Sequence, residues 1–264
     1  MPGHTNAALA SYPELNCDGR ARELYTGTEV GFSTLCTNKE ITYKFIDDVV
    51  REISAITPGP YFHIGGDESH VTKLSDYIPF VEKVQDIVIK YGKQSIGWDE
   101  IANAGLKKGT IAQHWANVEN ANKAVKQGSM LLMSPATKAY IDMQYDKSTK
   151  LGLHWAAYIE VDAAYNWDPA SLIPGIGKEH IVGIEAPLWT ETLTNIDEIE
   201  YMVFPRLPGI AEIGWTPVAS RNWDEYKTRL GKHGARFEAM EIDYYRSPLR
   251  SEEHTSELQS RQSI

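Results

Sequence analysis

The sequence predicts an α/β fold built on a parallel sheet, and three observations carry that expectation. Short apolar runs end in polar or aromatic residues, segments of helical periodicity lie between them, and the two kinds of segment alternate along the chain. Such alternation implies parallel strands joined by right-handed crossovers.

The elements follow in order. Tyr61-Phe62-His63-Ile64 reads as a strand running into Gly65-Gly66-Asp67-Glu68. Apolar residues at Ile78, Val81, Val84, Ile87 and Val88 give the segment from Leu74 to Tyr91 a helical spacing. Gln94–Trp98 is a second strand, ending in Asp99-Glu100, and Thr110–Trp115 a third. A helix near Glu119 to Gln127, strands at Ser129–Met133 and Ile181–Glu185, and a helix from about Asn195 to Leu207 complete the series. These are five strand–helix units, where a closed (β/α)8 barrel has eight. Met1-Pro2-Gly3-His4 reads as the end of one more strand turning into a loop, so the expectation is a barrel truncated at its N-terminal side. The aperiodic stretch from Pro135 to Lys178 is rich in Tyr, Trp and Asp, the character of a loop that carries function.

Composition narrows the function classes. A formal net charge of −10 argues against nucleic acid as a partner, because phosphate binding needs clustered Lys and Arg. The sequence contains no apolar run of the roughly 20 residues that span a bilayer. Met1 is followed at once by Pro2, Gly3 and His4, so no signal peptide is visible in this segment. Cys17 and Cys36 read equally well as two reduced thiols or as one disulfide. Seven Trp and fourteen Tyr suit either core packing or a sugar site, and position decides between the two.

Position favours the sugar. Asp67 and Glu68 are adjacent acids at a strand end, where a shared pocket would raise one pKa and let that carboxyl donate a proton. Alone, they read as a solvated pair at a helix start. Trp98, Trp115 and Trp189, however, each follow a predicted strand, and active sites of parallel barrels lie at strand C-termini. Tyr140 and Asp142 follow the Ser129–Met133 strand, and Glu191 lies just beyond Trp189. Aromatic walls around a polar floor suit a carbohydrate.

These residues sit in motifs that resemble glycoside hydrolase family 20, the β-N-acetylhexosaminidases, in its actinobacterial form. The motifs are MPGH at Met1–His4, FHIGGDE at Phe62–Glu68, GWDE at Gly97–Glu100, YIDMQY at Tyr140–Tyr145, LWTE at Leu188–Glu191 and RLPGIAEIGW at Arg206–Trp215. The resemblance runs from Met1 to about Ser247 and implies a (β/α)8 TIM barrel covered from the end of strand three to strand eight, one partial catalytic domain over residues 1–247. It implies retaining hydrolysis of terminal β-linked GlcNAc or GalNAc with the substrate's own acetamido oxygen as nucleophile, an exception to the two-carboxylate scheme. Glu68 then matches the general acid and base, Asp67 the residue that orients the acetamido group, and Tyr140 the phenol that bonds its oxygen. Trp98, Trp115 and Trp189 match the box around the sugar, Asp142 and Glu191 the acids that bind its hydroxyls, and His4 a histidine beside the acidic pair. No cofactor and no metal is implied. The resemblance also implies a Cys17–Cys36 disulfide and export of the full-length parent.

Two departures favour alternatives. A first-strand arginine that grips sugar hydroxyls and a second-strand His-Thr-Asp-type segment have no counterpart here, so an inert sugar-binding fragment is the rival reading. Release of a disaccharide is a third. The string RSEEHTSELQS at Arg250–Ser260 resembles a translated sequencing-library adapter, and residues 250–264 are expected to be a non-native tail.

Overall fold

Five strands lie side by side in sequence order, β1 to β5, in a computed structural model that describes residues 1–249. The tail at 250–264 lies outside the described residues. The elements are α1 (Asn6–Ser11), α2 (Glu40–Ile56), β1 (Tyr61–His63), α3 (Leu74–Lys90), β2 (Gln94–Trp98), β3 (Ile111–His114), α4 (Val118–Lys126), β4 (Met130–Met133), α5 (Ala136–Ala139), α6 (Val161–Tyr165), β5 (Ile181–Ile184), α7 (Ile196–Val203), α8 (Arg206–Trp215) and α9 (Trp223–Ala239). The β1–β2, β2–β3 and β3–β4 pairs are parallel, with Phe62 opposite Ser95, Gly97 opposite Ala112 and Leu131 opposite Ala112. An α/β fold with a parallel sheet is therefore present, as the alternation predicts.

The described chain divides into two compact units, residues 1–133 with 175–182, and residues 134–174 with 183 onward. The core of the first forms because α2 and α3 each turn one apolar stripe inward. Ile46 and Val50 of α2 meet Phe80, Val81, Val84 and Val88 of α3, and Ile64 and Ile101 join them. In the second unit Tyr145, Tyr165, Met202, Tyr226 and Leu230 make the core. At its centre Arg206 is fully buried. Its guanidinium lies 3.8 Å over the Tyr145 ring. It donates to the carbonyls of Ile141 (2.6 Å), Met143 (2.6 Å), Ile159 (3.1 Å) and Met202 (2.7 Å). One side chain thus ties the aperiodic 141–159 stretch to α7.

Two sequence expectations need correction. The helix expected from Asn195 to Leu207 is two helices, because Pro205 has no N–H to donate and excludes helical geometry at the residue before it. Phe204 is accordingly extended, at φ −100° and ψ 132°. Met1–His4 forms no strand end. It lies irregularly beside the end of β1, with the Met1 nitrogen donating to Ile64 O at 2.8 Å.

Cys17 and Cys36 are joined by a disulfide, with Cα atoms 4.9 Å apart. The bridge closes a segment without regular structure between α1 and α2. Closing a loop of this size stabilises by about 3 kcal/mol through the unfolded chain. A Cys17→Ser, Cys36→Ser double variant should lose stability of that order in denaturant titration, and an unchanged midpoint would show that the bridge is not formed.

Candidate active site

The centre of the site is built by backbone that few side chains tolerate. After β1 the chain turns through Gly65 (φ +71°) and Gly66 (φ +110°) into Asp67 and Glu68. A Cβ at Gly66 would lie 2.6 Å from Ile101 Cγ2 and 2.9 Å from the Tyr77 hydroxyl, so only glycine fits. The same Tyr77 hydroxyl donates to Gly66 O at 2.7 Å and locks the turn. Glu68 itself is left-handed at φ 46°, as is His4 at φ 55°. Such geometry is uncommon outside glycine and concentrates at functional positions.

His4 stands between the two acids. Its Nε2 is 3.2 Å from Asp67 Oδ2 and 3.2 Å from Glu68 Oε2. Hydrogen bonds to Asp67 and then Glu68 raise the His4 pKa to about 10, against a smaller opposing effect of burial. The imidazolium therefore offsets the repulsion of adjacent carboxylates. Burial alone would raise the pKa of Asp67, but with the His4 hydrogen bond first among the opposing effects and the His4 charge next, it is held below the ordinary carboxylate value. Asp67 is thus ionised at neutral pH. The ligand atoms of His4, Asp67 and Glu68 lie within 4.8 Å of one another, a spacing that a small cation would also accept.

A raised acid sits in the Gly97–Glu100 segment. Burial, then the neighbouring Asp99 charge, lift the Glu100 pKa to about 7. Glu100 Oε2 accepts from the Trp115 indole Nε1 at 3.1 Å. Asp99 is fully buried and accepts from His114 Nδ1 (3.1 Å), the backbone N–H groups of Trp115 (3.3 Å) and Asn117 (3.1 Å), and Asn120 Nδ2 (3.1 Å). Together the two acids hold both ends of Trp115. Trp98 is the last residue of β2; its N–H donates to Gly65 O at 2.9 Å and its ring meets His63 edge-on at 5.4 Å. The His63 Nδ1 accepts from Gly65 N, so its Nε2 carries the proton toward Gln113 Oε1 at 3.0 Å. Sequence reasoning quoted the GWDE motif and assigned neither Asp99 nor Glu100, because their partners lie 15 or more residues away.

The second unit gathers the other expected residues. Tyr140 is buried, with ring contacts to Trp189 at 6.1 Å and to Trp155 at 6.0 Å. Trp155 was not singled out by sequence, although it lies in the aromatic-rich stretch that was. Trp189 is 40% exposed and lies five residues beyond β5 rather than at its end. Asp142 is buried, and neither carboxylate oxygen meets hydrogen-bond geometry with any partner. Burial raises its pKa to about 6, Glu191 adds to the rise, and backbone amides of Asp142 and Trp189 with Arg206 offset it in part. A buried carboxylate without a completed hydrogen bond is suited to a ligand hydroxyl. Glu191 is exposed.

Known proteins share the sequence pattern and fold of this chain. A model of the glycosyl hydrolase family 20 catalytic domain matches residues 1–76 and 69–218. The β-N-acetylhexosaminidase of Cellulomonas fimi is 41% identical over 94% of this chain and 51% of its own. The structure of the β-N-acetylhexosaminidase from Streptomyces coelicolor A3(2) superposes with a TM-score of 0.93 at 53% identity, over 95% of this chain and 52% of that one. A Streptomyces plicatus β-hexosaminidase mutant in complex with its product GlcNAc gives a TM-score of 0.92 at 52% identity, over 94% and 51%. The chain spans about half the length of these relatives.

The raised pKa of Glu100 has a signed consequence. A carboxyl whose folded pKa lies above its unfolded value binds its proton more tightly when folded, so it costs stability as pH rises toward and through 7. Glu100→Gln keeps an acceptor for Trp115 and removes that cost. Thermal melts should show the variant gaining on the wild type between pH 5 and pH 8; a pH-independent difference would contradict the buried, protonatable Glu100.

Proposed function

Because the chain belongs to glycosyl hydrolase family 20, we propose that it is part of a retaining exo-β-N-acetylhexosaminidase that removes terminal β-linked GlcNAc or GalNAc from oligosaccharides or glycans. The observation that carries the reading is the adjacent Asp67 and Glu68 after β1 with His4 bridging them at 3.2 Å. The five strands in sequence order are then the later strands of an eight-stranded barrel, whose closure needs strands from elsewhere in the parent. Export of that parent accords with the Cys17–Cys36 disulfide.

The chemistry follows from dividing labour between two acids whose surroundings differ. Asp67, held ionised, accepts the acetamido N–H of the sugar and turns the acetamido oxygen toward the anomeric carbon. That oxygen attacks as the glycosidic bond breaks, and Glu68 gives its proton to the departing oxygen. The product of this step is a cyclic oxazolinium, whose positive charge faces the Asp67 carboxylate. Glu68, now a carboxylate, takes a proton from water as the water opens the ring, so configuration is retained and Glu68 is restored to the acid. Tyr140 is assigned to the acetamido oxygen, and Trp98, Trp115 and Trp189 to the acetyl group and sugar faces. Asp142, with its open acceptors, and Glu191 are assigned to sugar hydroxyls. His4 holds the acids in register and screens their repulsion. No step draws on a cofactor, a nucleic acid or a membrane.

The two acids should give different kinetic signatures in the full-length enzyme. Glu68→Gln should lose about 10²–10⁴-fold on substrates with poor leaving groups, and less in the first step on aryl glycosides that need little protonation. Asp67→Asn should slow the first step with either leaving group. If both variants lose equally on every substrate, or if the wild type releases no sugar from a GlcNAc glycoside, the assignment is wrong.

A further inference from the structure

We propose that Glu100 is a positioning residue that sets which N-acyl group the site admits, by holding the Trp115 indole at a fixed distance from the turn that carries Asp67 and Glu68. This inference rests on the hexosaminidase reading, in which Trp115 walls the acetyl group.

One short turn governs both sides of that distance. The 3-10 turn Asp99–Asn103 follows β2 directly. Its Ile101 is fully buried and packs against Gly66, just before the two acids. Gly97 makes the same approach: a Cβ there would stand 2.8 Å from Gly65 O and 2.8 Å from Ile101 Cγ2. The two turns are thus in contact, with no room for a larger residue between them. From the Asp99–Asn103 turn, Glu100 Oε2 accepts the Trp115 indole N–H at 3.1 Å, and Asp99 Oδ2 accepts the Trp115 backbone N–H at 3.3 Å. The turn is braced from α4, where Asn120 Nδ2 donates to Asp99 Oδ1 at 3.1 Å and Lys123 Nζ to Asn103 Oδ1 at 3.1 Å. Asp99 therefore fixes the Trp115 backbone. The Glu100 bond acts on the edge of the ring, where a small rotation about the side-chain torsions moves the wall most.

The strength of that bond depends on charge. An ionised carboxylate accepts an N–H more strongly than a protonated one. Burial, and then the Asp99 charge, lift the Glu100 pKa to about 7, so the hold on Trp115 changes across neutral pH. Asp67 and Asp99 face Glu100, as does Tyr77 of α3. His114 of β3 lies behind Asp99, with Nδ1 3.1 Å from Asp99 Oδ2. Lys123 of α4 pairs with Glu119 at 2.9 Å. Glu100→Gln keeps an acceptor and cannot ionise, so it separates the titration of Glu100 from that of these neighbours.

The test uses the full-length enzyme and aryl glycosides of GlcNAc and of its N-propionyl and N-butyryl analogues, all with one leaving group. The ratio of their kcat/KM values cancels the titration of Asp67 and Glu68 and any loss of folded protein, so a purely structural role would not move it. Wild type should prefer acetyl over propionyl by at least about tenfold, the scale of one methylene in a closed pocket. Glu100→Ala should lower that preference about tenfold, and Glu100→Gln should restore most of it. In wild type the preference should fall as pH drops through 7, and in Glu100→Gln it should stay level. Where Glu100→Ala fails to fold, the pH comparison decides alone. No preference in the wild type, an unchanged preference in Glu100→Ala, or the same pH dependence in Glu100→Gln overturns the role while leaving the hexosaminidase reading intact. If the wild type hydrolyses none of these substrates, that reading fails and the role with it.

Discussion

The site depends on keeping two adjacent carboxylates together at the end of one strand. Side by side and partly buried, the two carboxylates repel, and burial penalises the charge of Asp67. The imidazolium of His4, 3.2 Å from both, answers that repulsion. The His4 hydrogen bond and charge also oppose burial at Asp67, whose pKa stays below the ordinary carboxylate value. The left-handed backbone at His4 and Glu68 and the glycine turn at Gly65-Gly66 are the geometric cost of that arrangement, and the Tyr77 hydroxyl and Ile101 fix it in place.

Each unit uses one buried, hydrogen-bonded ionic group to order a loop that carries candidate site residues. In the first, Asp99 collects N–H donors from the chain after β3 and so fixes Trp115. In the second, Arg206 collects carbonyls from the 141–159 stretch that follows Tyr140. Both exploit the same asymmetry: a buried charge with its hydrogen bonds complete is tolerated, while one stripped of a partner is strongly unfavourable. The loops are irregular in backbone and still well defined, which is what a site built on loops requires.

Much of the sheet was legible because strand and helix periodicities are local. The spacing of Val81, Val84 and Val88 sufficed for α3, and GGDE and GWDE marked two strand ends. Helices α2 and α9 were also written in the sequence, in the Thr42, Ile46, Val50 spacing and in Tyr226, Leu230 and Phe237 behind the Asn222 cap, but their polar faces obscured them. The break at Pro205 was readable from proline chemistry and was overridden by the apolar run around it. The acids and aromatics of the candidate site came from motifs, whereas the roles of Asp99, Glu100 and Arg206 were not legible. Their partners are remote in sequence, and a buried charge leaves no periodic trace. The pairing of Cys17 with Cys36 followed from the family resemblance, since spacing alone admitted free thiols, and the disulfide is present.

The central claim is that the substrate's acetamido oxygen is the nucleophile and that Asp67 orients it. Replacing the N-acetyl group of an aryl GlcNAc glycoside by mono-, di- and trifluoroacetyl groups weakens that oxygen stepwise without changing the leaving group. The account predicts a kcat/KM that falls steeply along the series in the full-length enzyme and a much flatter series in Asp67→Asn. A wild-type rate independent of fluorination would contradict it, because the sugar would then be supplying no nucleophile.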